Sequence, residues 1–152
     1  MKKSRKVSVF ALSAILWAMS PAAIATAQTA ATPDKPLRVR IERFGHLLGD
    51  GSVETTFQYT CPLGTAALGV RLRQAVSGIV VSGEEHVYVP CNGREQTRVL
   101  QTSVWQWGSN LLGKHFGVGE ALAEYRIEWC ADPTIGECSG GTDRSETIFV
   151  RH

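Results

Sequence analysis

The chain lacks a long hydrophobic run. Its longest mostly apolar stretch, Val7 to Met19, covers 13 residues, whereas a helix that spans a bilayer needs about 20. No second long apolar run follows. The sequence therefore excludes a polytopic membrane protein, and we expect no stable membrane span once the N-terminal segment is removed.

Closely spaced cysteine pairs and a basic cluster are also missing. Zinc sites normally use pairs such as Cys-x-x-Cys, and the four cysteines form none, so we expect no metal site. Charged residues are scattered along the chain, whereas a nucleic-acid-binding protein shows a clustered basic stripe. We therefore expect no nucleic-acid partner.

Motifs of catalysis are absent as well. Neither a nucleophile elbow, Gly-x-Ser-x-Gly, nor a phosphate-binding loop occurs. Glu84-Glu85 is interpreted as the solvated tip of a turn. We therefore predict no enzymatic activity and no cofactor, with a small hydrolase as the enzyme alternative. Its residues would come from the acidic side chains and from histidines that lie in separate segments: His46, His86, His115 and His152.

The N-terminus has the organisation of a signal peptide. A basic start (Lys2, Lys3, Arg5 and Lys6) precedes the apolar run, and Ala25-Thr26-Ala27 offers the small-x-small pattern of a cleavage site. We predict a signal peptide over residues 1–27, with a retained anchor as the alternative, and a secreted protein of the extracellular space or cell envelope. Removal changes the formal charge from +2 to −2, because this segment holds four of the 16 basic residues and none of the 14 acidic ones.

The four cysteines all follow the predicted signal peptide. An even number in an oxidising compartment predicts two disulfides. Cys130 and Cys138 enclose only seven residues, which favours a local bond and leaves Cys61 for Cys91. The alternative is a Cys61–Cys130 bond between two sheets, as in immunoglobulin domains, but Glu128 occupies the position where those domains carry a Tyr.

The rest of the chain alternates apolar and polar residues with the period of a β-strand. After a flexible lead-in over residues 28–36, we predict one β-sandwich domain over residues 37–152 with seven to eight strands. The predicted strands are Leu37 to Ile41, Val53 to Cys61, Ala66 to Leu72, Ile79 to Val81, His86 to Cys91, Arg98 to Trp107, Ala121 to Trp129 and Glu146 to Arg151. Residues 82–85 are predicted to be a connection, and residues 108–119 a long loop with Leu111, Leu112 and Phe116 available to the core.

Trp105 and Trp107 are the candidate ligand contacts. They are two residues apart, so in an unbroken strand they share one face. Paired aromatic side chains on a sandwich can stack on sugar rings or anchor a protein partner. The alternative is that one or both pack in the core or under the long loop.

Four short motifs carry a resemblance to a known group of proteins. They are Gly51-x-Val53 before the strand that ends at Cys61, Leu68-x-Val70-x-Leu72-Arg73-Gln74, Cys91-Asn92-Gly93, and Phe116-Gly117-x-Gly119-Glu120-Ala121. From about residue 37 to residue 130, the chain resembles small secreted bacterial proteins with an immunoglobulin-like fold and no assigned function. The resemblance implies an all-β, immunoglobulin-like sandwich. A more distant likeness is to disulfide-containing sandwich apoproteins that carry hydrophobic antibiotics.

These observations lead to a functional expectation. We predict a secreted, non-enzymatic binding or interaction domain whose partner is an extracellular protein or glycan. The alternatives are a secreted protease inhibitor that presents the loop from Ala131 to Glu137, and a carrier of a small molecule or carbohydrate.

Overall fold

The computed structural model of the chain describes residues 36–106, 113–134 and 136–152. Of these, 72% lie in strands and none in a helix, so the predicted all-β fold is confirmed. The eight strands are β1 (Arg38–Ile41), β2 (Phe44–Leu47), β3 (Val53–Thr60), β4 (Gly64–Val76), β5 (Ile79–Cys91), β6 (Glu95–Thr102), β7 (Gly119–Asp132) and β8 (Glu137–Arg151). No helix long and apolar enough to cross a membrane occurs in these ranges. The predicted signal peptide and all of the lead-in except Pro36 lie outside them.

The eight strands form one sheet in the order β1-β3-β2-β8-β7-β4-β5, and β6 pairs with β3. All pairs are antiparallel except β2 with β8, which run parallel. This parallel pair joins two parts of the sheet. We call β1, β2, β3 and β6 the β3 half, and β4, β5, β7 and β8 the β7 half.

The two halves pack against each other across one hydrophobic core. Phe57 of β3 and Tyr125 of β7 lie in strands that are not neighbours in the sheet, yet their ring centroids are 5.7 Å apart in an edge-to-face contact. On the far side from the β2–β8 pair, the backbone N–H of Trp105 donates to the carbonyl oxygen of Ser82 at 2.8 Å. The sheet therefore folds over on itself and encloses its apolar face.

The period-two pattern predicts the inward face of the strands correctly. In β3 the side chains of Val53, Thr55, Phe57 and Tyr59 are buried, and their neighbours are half-buried. The other long strands supply the remainder of the core in the same way, with Ala66, Leu68, Val70, Leu72, Ala121, Ala123, Tyr125, Ile127, Ile148 and Val150 all buried. Phe116 is buried as well, as expected, whereas Leu111 and Leu112 lie outside the described residues.

The predicted connection over residues 82–85 is wrong, because β5 runs without a break from Ile79 to Cys91. Each of these residues pairs with β4, including Gly83 with Leu72. Gly83 is needed here for a close approach: a Cβ on it would lie 2.0 Å from the carbonyl oxygen of Ser103. Glycine inside a strand often marks such a close approach of another backbone segment.

Other strand limits also differ from the prediction, and one strand was not predicted. The strand predicted from Arg98 to Trp107 is Glu95–Thr102. Its alternation leaves the inward face open between two sets of residues, and in the structure Leu100 and Thr102 are buried whereas Val99 is exposed. The last strand begins at Glu137 rather than Glu146, because the Cys130–Cys138 bond joins register partners of a β7–β8 hairpin. β2 has no predicted counterpart, since four residues with one buried position show too little alternation to reveal a strand.

Candidate functional site

The four cysteines form the two disulfides that the spacing predicts. Cys61, which directly follows β3, is bonded to Cys91 at the end of β5. Cys130 is bonded to Cys138, and the alternative Cys61–Cys130 bond is wrong. No cysteine of the described chain is free. The cysteines therefore cross-link the scaffold and leave no thiol for chemistry.

Trp105 lies just after β6, beside the edge of the β7 half. Its backbone N–H bonds to Ser82 of β5, which is an edge strand of the sheet. The Cζ atom of Arg71 lies 5.8 Å from the centroid of the ring, and 39% of the residue is exposed. Trp107 lies outside the described residues, so the shared face and the ligand-contact role of the two rings stay predictions.

A groove of about 530 Å³ lies on the outer face of the β7 half. Its floor includes Gly69 of β4, whose cross-strand partners are His86 of β5 and Arg126 of β7. Because Gly69 has no side chain, the imidazole of His86 lies directly over it, and Gly69 is itself buried. A Cβ on Gly69 would lie 2.4 Å from Nδ1 of His86, so even a methyl group would displace the imidazole.

Two rows of outward side chains cross the four strands at this groove. The first row is Glu84, Arg71, Glu124 and Ser145, and the second is His86, Gly69, Arg126 and Asp143. Directly opposed residues on one face of a sheet are close enough to interact. The register of the β7 half therefore decides which charges meet at the groove.

Arg71 and Glu84 form the best-defined ion pair of the groove. Nε and Nη2 of Arg71 donate to Oε2 of Glu84 at 3.1 and 2.8 Å. Nε2 of His86 contacts the other oxygen of the same carboxylate. The Arg71 hydrogen bonds, followed by that of His86, hold the pKa of Glu84 below its usual range against the effect of burial. Glu84 is thus a paired strand residue, and its interpretation as a solvated turn tip is wrong.

A second ion pair, between Arg73 and Glu124, lies beside the first. Nε and Nη2 of Arg73 donate to the two carboxylate oxygens at 3.2 and 2.5 Å. This hydrogen bonding lowers the pKa of Glu124 and raises that of Arg73. Both carboxylates therefore remain ionised at neutral pH, and both are positioned by an arginine from β4.

The other charges of the groove are less tightly bound. Nη1 of Arg126 lies 3.5 Å from Oε1 of Glu128, which is too long for a strong hydrogen bond. Within the described residues, the side chains of Asp143 and Arg144 make no hydrogen bond or ion pair with another residue. The groove thus combines fixed ion pairs with polar groups that can turn toward a ligand.

The outer face of the β3 half carries a second, smaller groove of about 400 Å³. Phe44, which is 45% exposed, lines it. The Cζ atom of Arg151 lies 4.1 Å from the centroid of the Phe44 ring, and the Phe149 ring is 6.4 Å away. An exposed aromatic ring with an arginine over it therefore occurs on both halves.

The histidines are less dispersed in the fold than in the sequence. His46 and His152 both line the smaller groove, together with Glu42 and Glu54. His86 shares the larger groove with Glu84, Glu124 and Asp143. His115 lies against Gly51, where a Cβ would be 2.4 Å from its own Cβ. Sequence reasoning missed both groups, and the one signal for the larger groove was a glycine at an outward position of a regular strand.

Neither a metal cluster nor a known relative identifies the chemistry of the groove. No cluster of three or more His, Cys, Asp or Glu side chains in the described ranges could hold a metal ion. No protein-family model, curated protein or solved structure that was compared with the chain matches it. The groove is therefore interpreted from its own residues.

Proposed function

We propose that this protein is a secreted, non-enzymatic binding domain that holds its ligand in the groove over Gly69. The observation that carries this proposal is the groove itself, about 530 Å³ in volume and bordered by His86 and Arg126 across three paired strands. Binding sites are concave, largely pre-formed surfaces with a few positioned polar groups. The groove over Gly69 is concave and carries positioned polar groups in this way. It lies on β4, β5, β7 and β8, which pair with one another over more residues than the strands of the β3 half do.

The ion pairs at the groove support binding because they order its walls in advance. Arg71 is held by Glu84 on one side and carries the Trp105 ring on the other. A side chain that is already fixed loses little conformational entropy when a ligand binds. Trp105 adds a partly exposed aromatic surface next to the groove, which fits its predicted role as a ligand contact.

Two features support the proposed export and the finer fold assignment. The two disulfides indicate an oxidising environment, which fits removal of a signal peptide over residues 1–27. The strand order β6-β3-β1 in one half and β8-β7-β4-β5 in the other corresponds to E-B-A and G-F-C-C′ of immunoglobulin domains. We therefore propose an immunoglobulin-like sandwich as the fold.

A hydrolase is the second candidate, because His86 lines the same groove as three carboxylates and contacts one of them, Glu84. The state of those carboxylates argues against it. Glu84 and Glu124 are ionised and bound to arginines, and their lowered pKa values make both of them weak bases and poor proton donors at neutral pH. Their hydrogen bonds serve to position side chains rather than to activate a nucleophile.

An affinity experiment with groove variants tests the proposal. The mature domain, residues 28–152, is immobilised and exposed to culture supernatant and cell-envelope extract, beside Gly69→Leu and the control Phe44→Ala. We expect the native domain and Phe44→Ala to retain the same molecule, and Gly69→Leu to retain at least tenfold less, because the leucine fills the groove. Equal retention by Gly69→Leu would place binding elsewhere. Breakdown of the retained molecule by the native domain, abolished in His86→Gln, would favour the hydrolase.

A further inference from the structure

The positive and negative side chains around the groove over Gly69 are equal in number. The cations are Arg71, Arg73, Arg126 and Arg144, and the anions are Glu84, Glu124, Glu128 and Asp143. Because the two signs alternate across the strands, an anionic ligand approaches carboxylates as closely as it approaches guanidinium groups. A ligand with a net charge of either sign therefore gains little electrostatic attraction here.

The same groups keep unused hydrogen-bonding capacity. Arg71 commits only its Nε and Nη2 groups to Glu84, and the guanidinium carries further N–H donors. The carboxylate of Glu124 accepts one bond on each oxygen and has lone pairs to spare. Donors and acceptors thus alternate at short spacing, which matches hydroxyl groups because each hydroxyl donates and accepts.

The lining also disfavours two other classes of ligand. Pockets for apolar molecules are lined mostly by hydrophobic side chains, and this groove is lined mainly by charged ones. The centres of protein–protein interfaces are depleted in charged residues, since covering ion pairs carries a desolvation cost. A hydroxylated ligand avoids that cost by replacing the water molecules that hydrate the ion pairs.

We propose that the groove over Gly69 binds a neutral, polyhydroxylated ligand, namely a segment of an uncharged glycan, with Trp105 stacking against a sugar ring at its edge. This inference rests on the proposed function and narrows it to one ligand class. The groove, about 530 Å³ in volume, admits a sugar ring beside His86. The ion-paired side chains of β4, β5 and β7 bond its hydroxyl groups, and Arg71 lies against the Trp105 ring.

The test uses the mature domain and a panel of soluble polysaccharides. The neutral probes are a glucan, a mannan and a galactan, and the acidic probes are alginate and heparin. Binding is measured by titration calorimetry at low and at high salt, and the site is located from amide chemical-shift changes on a ¹⁵N-labelled sample. The variants are Trp105→Ala, Arg126→Met and Gly69→Leu, with Phe44→Ala as the matched exposed aromatic on the other half.

We expect a neutral polysaccharide to bind and to shift the amides of Gly69 and His86. Its affinity should change less than twofold with salt, because no net charge is neutralised. Trp105→Ala and Arg126→Met should each weaken it about tenfold, Gly69→Leu should abolish it, and Phe44→Ala should leave it unchanged. Thermal unfolding of each variant separates loss of binding from loss of fold.

Three other results would contradict the assignment of a neutral glycan as the ligand. They are salt-sensitive binding of the acidic probes alone, no binding of any neutral polysaccharide, and neutral binding that the groove variants do not weaken. If a protein is retained in the affinity experiment and lost in Gly69→Leu, the groove remains the binding site and only the glycan assignment fails. If the native domain and Gly69→Leu retain equal amounts of a molecule in the affinity experiment, and the groove variants do not weaken polysaccharide binding, both proposals fail.

Discussion

The outer faces of the two halves of the sheet differ in one respect that matters for binding. Each carries an exposed ring with an arginine over it: Phe44 of β2 lies under Arg151 of β8, and Trp105, which follows β6, lies against Arg71 of β4. Arg71 is also bound to Glu84, and it lines the larger groove together with Gly69 and His86. An exposed aromatic ring alone therefore does not distinguish a binding face, whereas a ring beside an ion-paired arginine at the larger groove does.

The two disulfides also differ in whether they connect the two halves of the sheet. The Cys61–Cys91 bond joins β3 to β5 and so connects the two halves. The Cys130–Cys138 bond lies within the β7 half, between strands that are already paired. The first bond constrains the tertiary structure, and the second reinforces a hairpin.

The largest loss of stability should come from removing the Cys61–Cys91 disulfide, which connects the two halves. In the Cys61→Ala/Cys91→Ala double variant we expect a loss of about 3.5 kcal/mol in the free energy of unfolding, because the bond closes the longer loop. That corresponds to a decrease of roughly 15 °C in the melting temperature. Calorimetry on the mature domain measures it. A decrease no larger than that of the hairpin variant below would contradict the distinction between the two bonds.

Removing the bond within the β7 half should cost less. For Cys130→Ser/Cys138→Ser we expect at most about 2.5 kcal/mol, since the β7–β8 pairing over residues 119–127 and 142–150 remains. Chemical denaturation provides the value. Amide chemical shifts at Gly69 and His86 serve as the check on the groove, and a change there comparable to that at the hairpin would show that the bond shapes the site.

Two buried tyrosines offer a comparison at high pH. Burial and the hydrogen bond to Glu146 raise the pKa of Tyr125 well above its usual range, and burial raises that of Tyr59. A raised pKa means that the folded state holds the proton more tightly. The stabilisation is therefore complete below about pH 10, where unfolded tyrosine titrates, and declines as the pH rises further.

In Tyr125→Phe we expect a loss of about 1 kcal/mol at neutral pH and a shallower decline of stability above about pH 10. Tyr59→Phe, in the β3 half, is the matched control and should flatten the decline less, because its hydroxyl lacks a carboxylate partner in the described structure and donates to the carbonyl of Pro90 at 3.4 Å. Urea unfolding at several pH values measures both. Equal slopes in the two variants would contradict a special role for the Tyr125–Glu146 bond.

The smallest effects on stability should come from the two exposed rings. Trp105→Ala and Phe44→Ala should each change the free energy of unfolding by no more than about 1 kcal/mol, the contribution of an exposed cation–π contact. Melting temperatures within a few degrees of the native value are the expected result. A large decrease for Trp105→Ala alone would indicate that its ring seals the core, and its proposed stacking role would then be withdrawn.

The period-two pattern predicted the core residues of β1, β3, β4 and β7, whereas it left the inward face of β6 open. Val53, Phe57 and Leu68 face inward as the alternation requires, and the cysteine spacing leads to the observed pairs. Strand limits were harder to predict wherever tertiary contacts override a turn signal. Residues 82–85 have the composition of a turn, yet pairing with β4 and the approach of Ser103 keep them in β5.

By itself, the sequence indicated an all-β chain and the buried side of β1, β3, β4 and β7, and its cysteine spacing favoured the observed pairs, because these properties depend on local alternation and loop length. Only the tertiary structure decided the groove. The two-residue turn at Ser77-Gly78 joins β4 to β5 and sets the register of Arg71 with Glu84 and of Gly69 with His86. Glu124 and Arg126 come from β7, which is distant in sequence and pairs with β4 only in the folded chain. The register between such distant strands follows from tertiary packing, and no local pattern in the chain encodes it.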